Sequence, residues 1–283
     1  MNVQQKGWLQ KRIGRVFGYT MLIVTSLFLI SPVFFMSVAS FKLDEEYMAY
    51  PIVIFPELWH WENYSIIFEL TPFAQIALRT GLLAVGTAAL TALVSSLVGY
   101  AFARYNVPGS SQLFGVVVAM LIVPFIVILI PQFIIYARLK LTNTYWPWIL
   151  GALGGTPFYI FMFRQFFLGF PRELEEAAEV DGCGPFRIYL QIFLPNAKPV
   201  IATVMIFAII GVWGDYLTPS IYLSANKTLL GVALATAFKD PAGNSMQTVS
   251  LAASVLYIIP LILVFFFGQK YILQGVVTSG LKG

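Results

Sequence analysis

Long apolar stretches separated by short polar ones set the pattern of this chain. Runs at about Val16 to Phe41, Gly81 to Ala103, Leu113 to Tyr136, Tyr145 to Phe167, Val200 to Leu223 and Val249 to Tyr271 each approach the ~20 residues a helix needs to cross a bilayer. Lipid offers no partner to backbone N–H and C=O groups, so each run is predicted as a helix and six spanning helices are expected. The second is predicted to begin as early as Phe73, because Phe73 to Leu78 is also mostly apolar. The fold class is therefore an all-α membrane protein.

Composition agrees with the pattern: of 283 residues, 59% are hydrophobic and only 11% charged, far from the balance of a soluble domain. Lys6, Lys11, Arg12 and Arg15 precede the first run, and Val38-Ala39-Ser40 faintly resembles a cleavage site, but the run is too long for the core of a signal peptide. With the N-terminus inside, Lys6, Lys11, Arg12, Arg15, Arg104, Arg164, Arg172, Arg187, Lys198, Lys270 and Lys282 fall on the inner side. Lys42, Arg79, Arg138, Lys140, Lys227 and Lys239 fall outside. Basic residues near span ends resist translocation, so both termini are expected in the cytoplasm. The net charge of +4 is thus a topology signal and implies no nucleic acid. Residues 1–15 form the cytoplasmic N-terminus, 16–275 the transmembrane domain with an external loop at 41–72, and 276–283 a cytoplasmic tail.

Pro124 and Pro131 in the third run, and Gly211, Gly214 and Pro219 at the end of the fifth, predict bent helices. Small residues crowd the second run, from Thr80-Gly81 through Gly86-Thr87-Ala88-Ala89 to Ser95-Ser96 and Gly99, and predict a face for close helix packing. The external loop, with six acids and the aromatic residues Phe55, Trp59 and Trp61, is expected to be a solvated loop with aromatic anchors, a compact interfacial cover being the alternative.

Catalytic chemistry has little to work with. His60 is the single histidine and Cys183 the single cysteine, which leaves no metal cluster, Ser-His pair or intramolecular disulfide. Asp215 is the lone acid within a predicted span, so neither a paired-aspartate protease nor an ion-driven carrier is well supplied. The tail from Gly275 to Lys282 mimics phosphate-loop spacing, but Leu281 stands where lysine is required. No catalytic or metal-binding residue is assigned, and any ATPase is expected on a separate chain.

The most informative stretch lies between the fourth and fifth runs, at 171–195: PRELEEAAEVDGCGPFRIYLQIFLP. Pro171 opens a predicted short helix with Glu173, Glu175 and Glu176 in the positive field of its first turn. Leu174, Ala177, Ala178 and Asp181 share one side, where the alanines permit another surface to approach closely. Gly182-Cys183-Gly184 predicts a sharp stop, and Pro185 opens a second helix. Phe186, Tyr189, Leu190 and Phe193 give that helix an apolar face, with Pro195 expected to end it.

Glu176-Ala177-Ala178, then Gly182, then Ile192, Leu194 and Pro195 match the EAA motif of ABC importer membrane subunits. Seven specified residues at fixed spacing arise by chance at roughly 10⁻⁸ per starting position. Over nearly its whole length the chain resembles MalG-type carbohydrate permeases. The matching segments are Phe55-Pro56 with Glu62-Asn63-Tyr64, Tyr100-Ala101-Phe102-Ala103-Arg104, Ile130-Pro131, Phe163-Arg164-Gln165-Phe166-Phe167, Trp213-Gly214-Asp215-Tyr216-Leu217-Thr218-Pro219, and the tail from Gly275 to Gly283. Cys183-Gly184 replaces a small Ala-Ser type pair, and Gly214 stands where asparagine is frequent.

The resemblance implies the type I ABC importer permease fold, in the cell membrane of a bacterium or archaeon. It further implies a homologous second permease subunit, two ATPase subunits that bind ATP and Mg, and an extracytoplasmic solute-binding protein. The loop with Glu176, Ala177, Ala178, Asp181, Gly182, Ile192, Leu194 and Pro195 is then expected to couple to the ATPase, and Gly280, Lys282 and Gly283 of the tail to touch it. Trp213, Asp215 and Tyr216 are expected along the sugar pathway, with Tyr222 as a further stacking aromatic. Other solutes share the EAA loop, so sugar follows from the wider resemblance.

Overall fold

The computed structural model describes the backbone of residues 3–280 and the side chains of Arg12 and residues 14–271. In chain order, α1 (Val3–Ala39) is followed by the short α2 (Asp44–Met48) and α3 (Glu62–Leu70), then α4 (Phe73–Arg104). Next come α5 (Ser110–Ala119) with a single 3₁₀ turn, α6 (Phe125–Arg138), α7 (Trp146–Leu153) and α8 (Pro157–Leu168). The 171–195 stretch yields α9 (Glu173–Val180), α10 (Pro185–Ile188), a π-turn at Tyr189–Phe193 and α11 (Leu194–Asn196). α12 (Lys198–Trp213), α13 (Leu217–Tyr222), α14 (Leu230–Thr236) and α15 (Gln247–Gly280) complete the chain. No strand occurs among the described residues, where one antiparallel bridge pairs Lys239 with Ser245.

Three helical stretches are long and apolar enough to cross a membrane alone: Gly14–Ala39, Phe73–Arg104 and Gln247–Tyr271. Two bent pairs pass the same test, Ser110–Ile122 with Phe125–Arg138 at 103° and Pro185–Asn196 with Lys198–Trp213 at 78°, bringing the number to as many as five. The fourth predicted run is divided into α7 and α8, of 8 and 12 residues. Gly155 lies between them at φ +68°, a left-handed backbone that an α-helix does not contain. The first bend sits at Pro124, whose extended ψ of 135° precedes α6. The early start of α4 at Phe73 is as the apolar pattern predicts.

The chain divides into two units, Met1–Thr71 with Ala237–Tyr257 and Pro72–Thr236 with Ile258–Gly283. In the first, Phe41 gathers Trp59, Trp61 and Tyr64 at ring centroid distances of 5.1, 4.6 and 5.2 Å. The buried Asn63 amide donates to the carbonyls of Ser40 and Lys42 at 2.9 and 2.8 Å, so this loop is not simply solvated with aromatic anchors but is pinned by backbone polar groups as well as rings. Asp44 supplies the start of α15 with acceptors: Oδ2 takes the Gln247 N–H at 3.1 Å, and Oδ1 takes the Thr248 N–H and hydroxyl, each at 2.7 Å. Those are orphan donors of a helix N-terminus, met by a negative charge where the helix dipole favours one.

In the second unit α4 packs against α7, α8 and α12. Its enclosed face is a stripe of small residues, Thr80, Ala84, Thr87, Ala88, Thr91, Ala92, Ser95, Ser96 and Gly99, at helical spacing. A Cβ on Gly99 would stand 2.6 Å from the Phe163 Cβ and 3.0 Å from the Arg164 backbone nitrogen, so α8 approaches as closely as glycine allows. Thr80, Thr87 and Ser96 return hydroxyl protons to their own helix, as in Thr80 to the Ile76 carbonyl at 2.8 Å. Two oxygens of the stripe accept from the starts of other helices, Thr80 from the Leu230 N–H at 3.0 Å and Ser95 from the Thr156 N–H at 3.2 Å. Polar side chains in an apolar segment are thereby satisfied, and neighbouring elements are fixed in register.

Candidate functional site

Two sites form in the second unit, a helical loop fastened to the C-terminal end of α4 and a pair of adjoining cavities. The loop begins with α9, whose first turn carries Glu173, Glu175 and Glu176. Its end is a Schellman cap: the Cys183 N–H reaches the Ala178 carbonyl at 2.9 Å, and the Gly182 N–H reaches the Glu179 carbonyl at 2.9 Å. Gly182 has φ +78°, while an added Cβ would meet nothing within 4 Å. The glycine is thus required for backbone conformation and not for space.

Ala178 turns into the protein core and Ala177 outward, with Val180 at 88% exposure. The predicted single face holding both alanines is split, because the buried side of α9 runs through Glu175 and Ala178 at i and i+3. Glu176, Ala177, Asp181 and Gly182 all lie on accessible surface.

The second helical segment also departs from expectation. Ile188, Tyr189 and Phe193 are buried, whereas Phe186 and Leu190 remain exposed. The π-turn at Tyr189–Phe193 inserts extra arc before Pro195, whose ring cannot follow an ordinary α-turn, and this rotates the apolar face. Helical backbone accordingly continues past Pro195 to Asn196. Ile192 and Leu194 pack partly buried against the core, and Pro195 is exposed.

That core is aromatic: Phe193 has Tyr100 at 4.8 Å, Phe170 at 5.3 Å and Phe167 at 5.5 Å between ring centroids. Arg104, the last residue of α4, lies along it with only 4% of its side chain exposed. The guanidinium donates to the Phe170 carbonyl at 2.8 Å and sits 4.8 Å over the Phe193 ring. Its Nε is 3.7 Å from the Glu175 carboxylate, which is 14% exposed. Burial holds the Glu175 carboxyl above the usual carboxylate range, with the Arg104 charge pulling the other way. Ser96 and Tyr189 add a buried hydroxyl pair at 2.6 Å between α4 and the π-turn.

The larger cavity, about 610 Å³, is lined by Trp148, Tyr216 and Tyr222 with Gln132, Asp215 and Gly211, among others. Asp215 and Tyr216 are thus brought together on one cavity wall. Trp213 is not: at 7% exposure it is turned away, with its ring 3.5 Å from where a Cβ on Gly81 would stand. The Asp215 Oδ1 accepts the Thr218 N–H at 3.0 Å and caps α13. A smaller cavity of about 210 Å³ lies against Thr87, Thr91, Thr156 and Tyr159, and it shares Trp148 and Gly211 with the larger one.

Sequence reading missed Arg104, Gln132 and Trp148 as site residues. For Arg104 a signal existed, a lone cation closing the Tyr100-Ala101-Phe102-Ala103-Arg104 segment. Trp148 follows a proline near a span end, where tryptophan ordinarily marks the lipid interface. Of the tail residues, Gly280 ends the described backbone, and Lys282 and Gly283 lie outside the described residues. Among the described residues no group of three or more His, Cys, Asp or Glu could hold a metal ion.

A family model described as "binding-protein-dependent transport system inner membrane component" matches residues 95–278. The chain is similar to the arabinooligosaccharides transport system permease protein AraQ of Halalkalibacterium halodurans, 38% identical over 69% of each chain. With the AraQ of Bacillus subtilis it shares 30% identity over 96% of each chain. Among solved structures, a bacterial ABC transporter involved in import of the acidic polysaccharide alginate matches with a TM-score of 0.77. That match is 21% identical and covers 93% of this chain and 97% of the other.

Proposed function

This chain belongs to the family of inner-membrane components of binding-protein-dependent transport systems, and on that premise we propose that it forms part of the membrane pathway of an ATP-driven carbohydrate importer. The observation that carries the reading is α9, an acidic helix with an exposed outer face whose buried side is fastened to the end of α4 through Glu175 and Arg104. A helix held in this way moves α4 with it when an external body presses on it. Glu176, Ala177, Asp181 and Gly182 meet the ATPase subunit, and Ala178, Ile192 and Leu194 join the loop to its core. Pro195 forces the turn that orients it. Gly280, Lys282 and Gly283 of the tail lie against the same ATPase pair.

ATP and Mg bind to the separate ATPase chains, where hydrolysis takes place. A homologous second permease, two ATPase subunits and an extracytoplasmic solute-binding protein complete the complex, with both termini of this chain in the cytoplasm. The carbohydrate assignment is supported by the names of the two AraQ relatives and by the aromatic rings and uncharged polar groups of the larger cavity, with Asp215 and Tyr216 on its wall. Reconstitution of this chain with its cognate partners in proteoliposomes tests the proposal. ATP-dependent uptake of arabinotriose or maltotriose, with hydrolysis stimulated by the loaded binding protein, is the expected result; uptake driven by an ion gradient without the ATPase would overturn it.

A further inference from the structure

Of the six basic residues that the sequence places on the outer side, four lie in the second unit: Arg79, Arg138, Lys140 and Lys227. Hydrogen bonds gather them at one end of that unit. The Arg79 guanidinium donates to the Asn226 carbonyl at 3.1 Å, and the Lys227 ammonium to the Asn143 carbonyl at 3.0 Å. The Tyr145 hydroxyl donates to the Lys227 carbonyl at 3.0 Å, and the Asn143 Oδ1 accepts the Ser224 N–H and hydroxyl at 3.2 and 2.7 Å. The turn after α6 is thereby tied to the turn after α13 and to the first part of α4. Arg138, which closes α6, and Lys140, at φ +57° in the turn that follows, are both exposed.

Nothing within the unit neutralises this cluster. The ion pairs among the described residues involve Lys42, His60 and Arg104, and none of these four. Five of the unit's six carboxylates belong to the 171–195 loop, and the sixth, Asp215, caps α13. The carbonyls that hold Arg79 and Lys227 orient those charges without cancelling them. Like charges on one face repel, and basic residues beside spans resist translocation, so both effects count against the cluster unless a negative partner meets it.

The cluster borders the larger cavity at Tyr222, which lines that cavity and whose carbonyl accepts the Asn143 N–H at 2.7 Å. The basic charge stops there, because neither cavity is lined by Lys, Arg or His. A small anion drawn to the cluster would find no cation to follow inward, whereas a body too large to enter would keep its contacts at the outer surface. Cations at span ends also snorkel to lipid headgroups, which asks for long side chains left free. Arg79 and Lys227 are instead bound to loop carbonyls, a fixed arrangement suited to a fixed partner.

We propose that this basic face is where the solute-binding protein docks, through an acidic surface that meets Arg79, Arg138, Lys140 and Lys227. The proposal rests on the importer reading and adds to it the docking residues and the charge of the surface they receive.

The double variant Arg138→Gln with Lys140→Gln, which removes two exposed charges, tests it in the complete complex in phosphatidylcholine proteoliposomes. ATP hydrolysis is titrated with binding protein loaded with arabinotriose or maltotriose. At low ionic strength the variant is expected to need on the order of ten-fold more binding protein for half-saturation, with the maximal rate changed less than about two-fold. That difference is expected to vanish at about 0.5 M salt. The unsubstituted complex supplies a second measure by itself, since its half-saturating concentration is expected to rise with salt.

Equal half-saturation of variant and unsubstituted complex at low salt overturns the proposal, as does a half-saturation of the unsubstituted complex that is independent of salt. A deficit of the variant that appears only when phosphatidylglycerol is added to the vesicles also overturns it, the cations then serving lipid. Hydrolysis in the unsubstituted complex that ignores loaded binding protein at every concentration and salt contradicts the importer reading itself, and the proposal with it.

Discussion

The Arg104 guanidinium lies 3.7 Å from the Glu175 carboxylate and joins the end of α4 to the buried side of α9. Burial outweighs attraction at Glu175, so the pair serves chiefly to fix geometry. Removing one partner leaves a buried charge alone, and Arg104→Met is expected to cost about 3 kcal/mol. Arg104→Met with Glu175→Met recovers most of that loss, because no charge is stranded. Thermal unfolding of the purified complex across the double-mutant cycle checks both outcomes.

The same pair predicts a pH dependence. The Glu175 carboxyl is raised above its ordinary value of 4.5, so the folded chain holds this proton more readily than the unfolded one. The group's contribution to stability is therefore present below the ordinary value and lost as pH rises through the raised one. Protonation removes the negative partner of Arg104. Coupled ATP hydrolysis should fall as pH drops through that raised window, and Glu175→Gln should lack this acid limb. A wild-type profile identical to that of the variant would contradict it.

Gly182 and Gly184 separate conformational need from composition. Gly182 sits at φ +78° and Gly184 at φ −74°. Gly182→Val is expected to cost about 1–3 kcal/mol in backbone strain and to misdirect α9, whereas Gly184→Ala is tolerated. Protease accessibility of the 171–195 loop together with coupled hydrolysis distinguishes the two variants.

Gly99 and Gly86 form a matched pair along α4. A Cβ on Gly99 would meet Phe163 and the backbone of α8, while one on Gly86 would meet nothing within 4 Å. Gly99→Ala should destabilise the complex by about 1–3 kcal/mol through overpacking, and Gly86→Ala should be neutral. Equal melting temperatures for both variants would contradict the packing described for α4 and α8.

How much of this was legible in the sequence differs by element. The apolar runs and the small-residue face of α4 follow from the solvent, since a bilayer dictates both span length and the close-packing residues between spans. The Schellman stop at Gly182 was legible because one residue type satisfies its backbone. The split of the fourth run at Gly155 was not, because a glycine inside an apolar stretch fits a packed helix equally well. The inward turn of Ala178, the π-turn before Pro195 and the displacement of Trp213 from the cavity depend on neighbours distant in sequence. Periodicity gives which residues share a helix face; the partner that covers this face belongs to tertiary structure.

Cysteine cross-linking from α9 tests the central claim, that its outward face docks into the ATPase. Cys183 is the single native cysteine, so Cys183→Ser provides a clean background. Ala177→Cys and Val180→Cys point outward, whereas Ala178→Cys points into this chain's own core. In the assembled complex, disulfides with single cysteines scanned along the ATPase surface should form from positions 177 and 180 and not from 178, given the short reach of the bond. ATPase cross-links absent from 177 and 180 in a complex that still transports, or formed equally from 178, would contradict α9 as the docking helix.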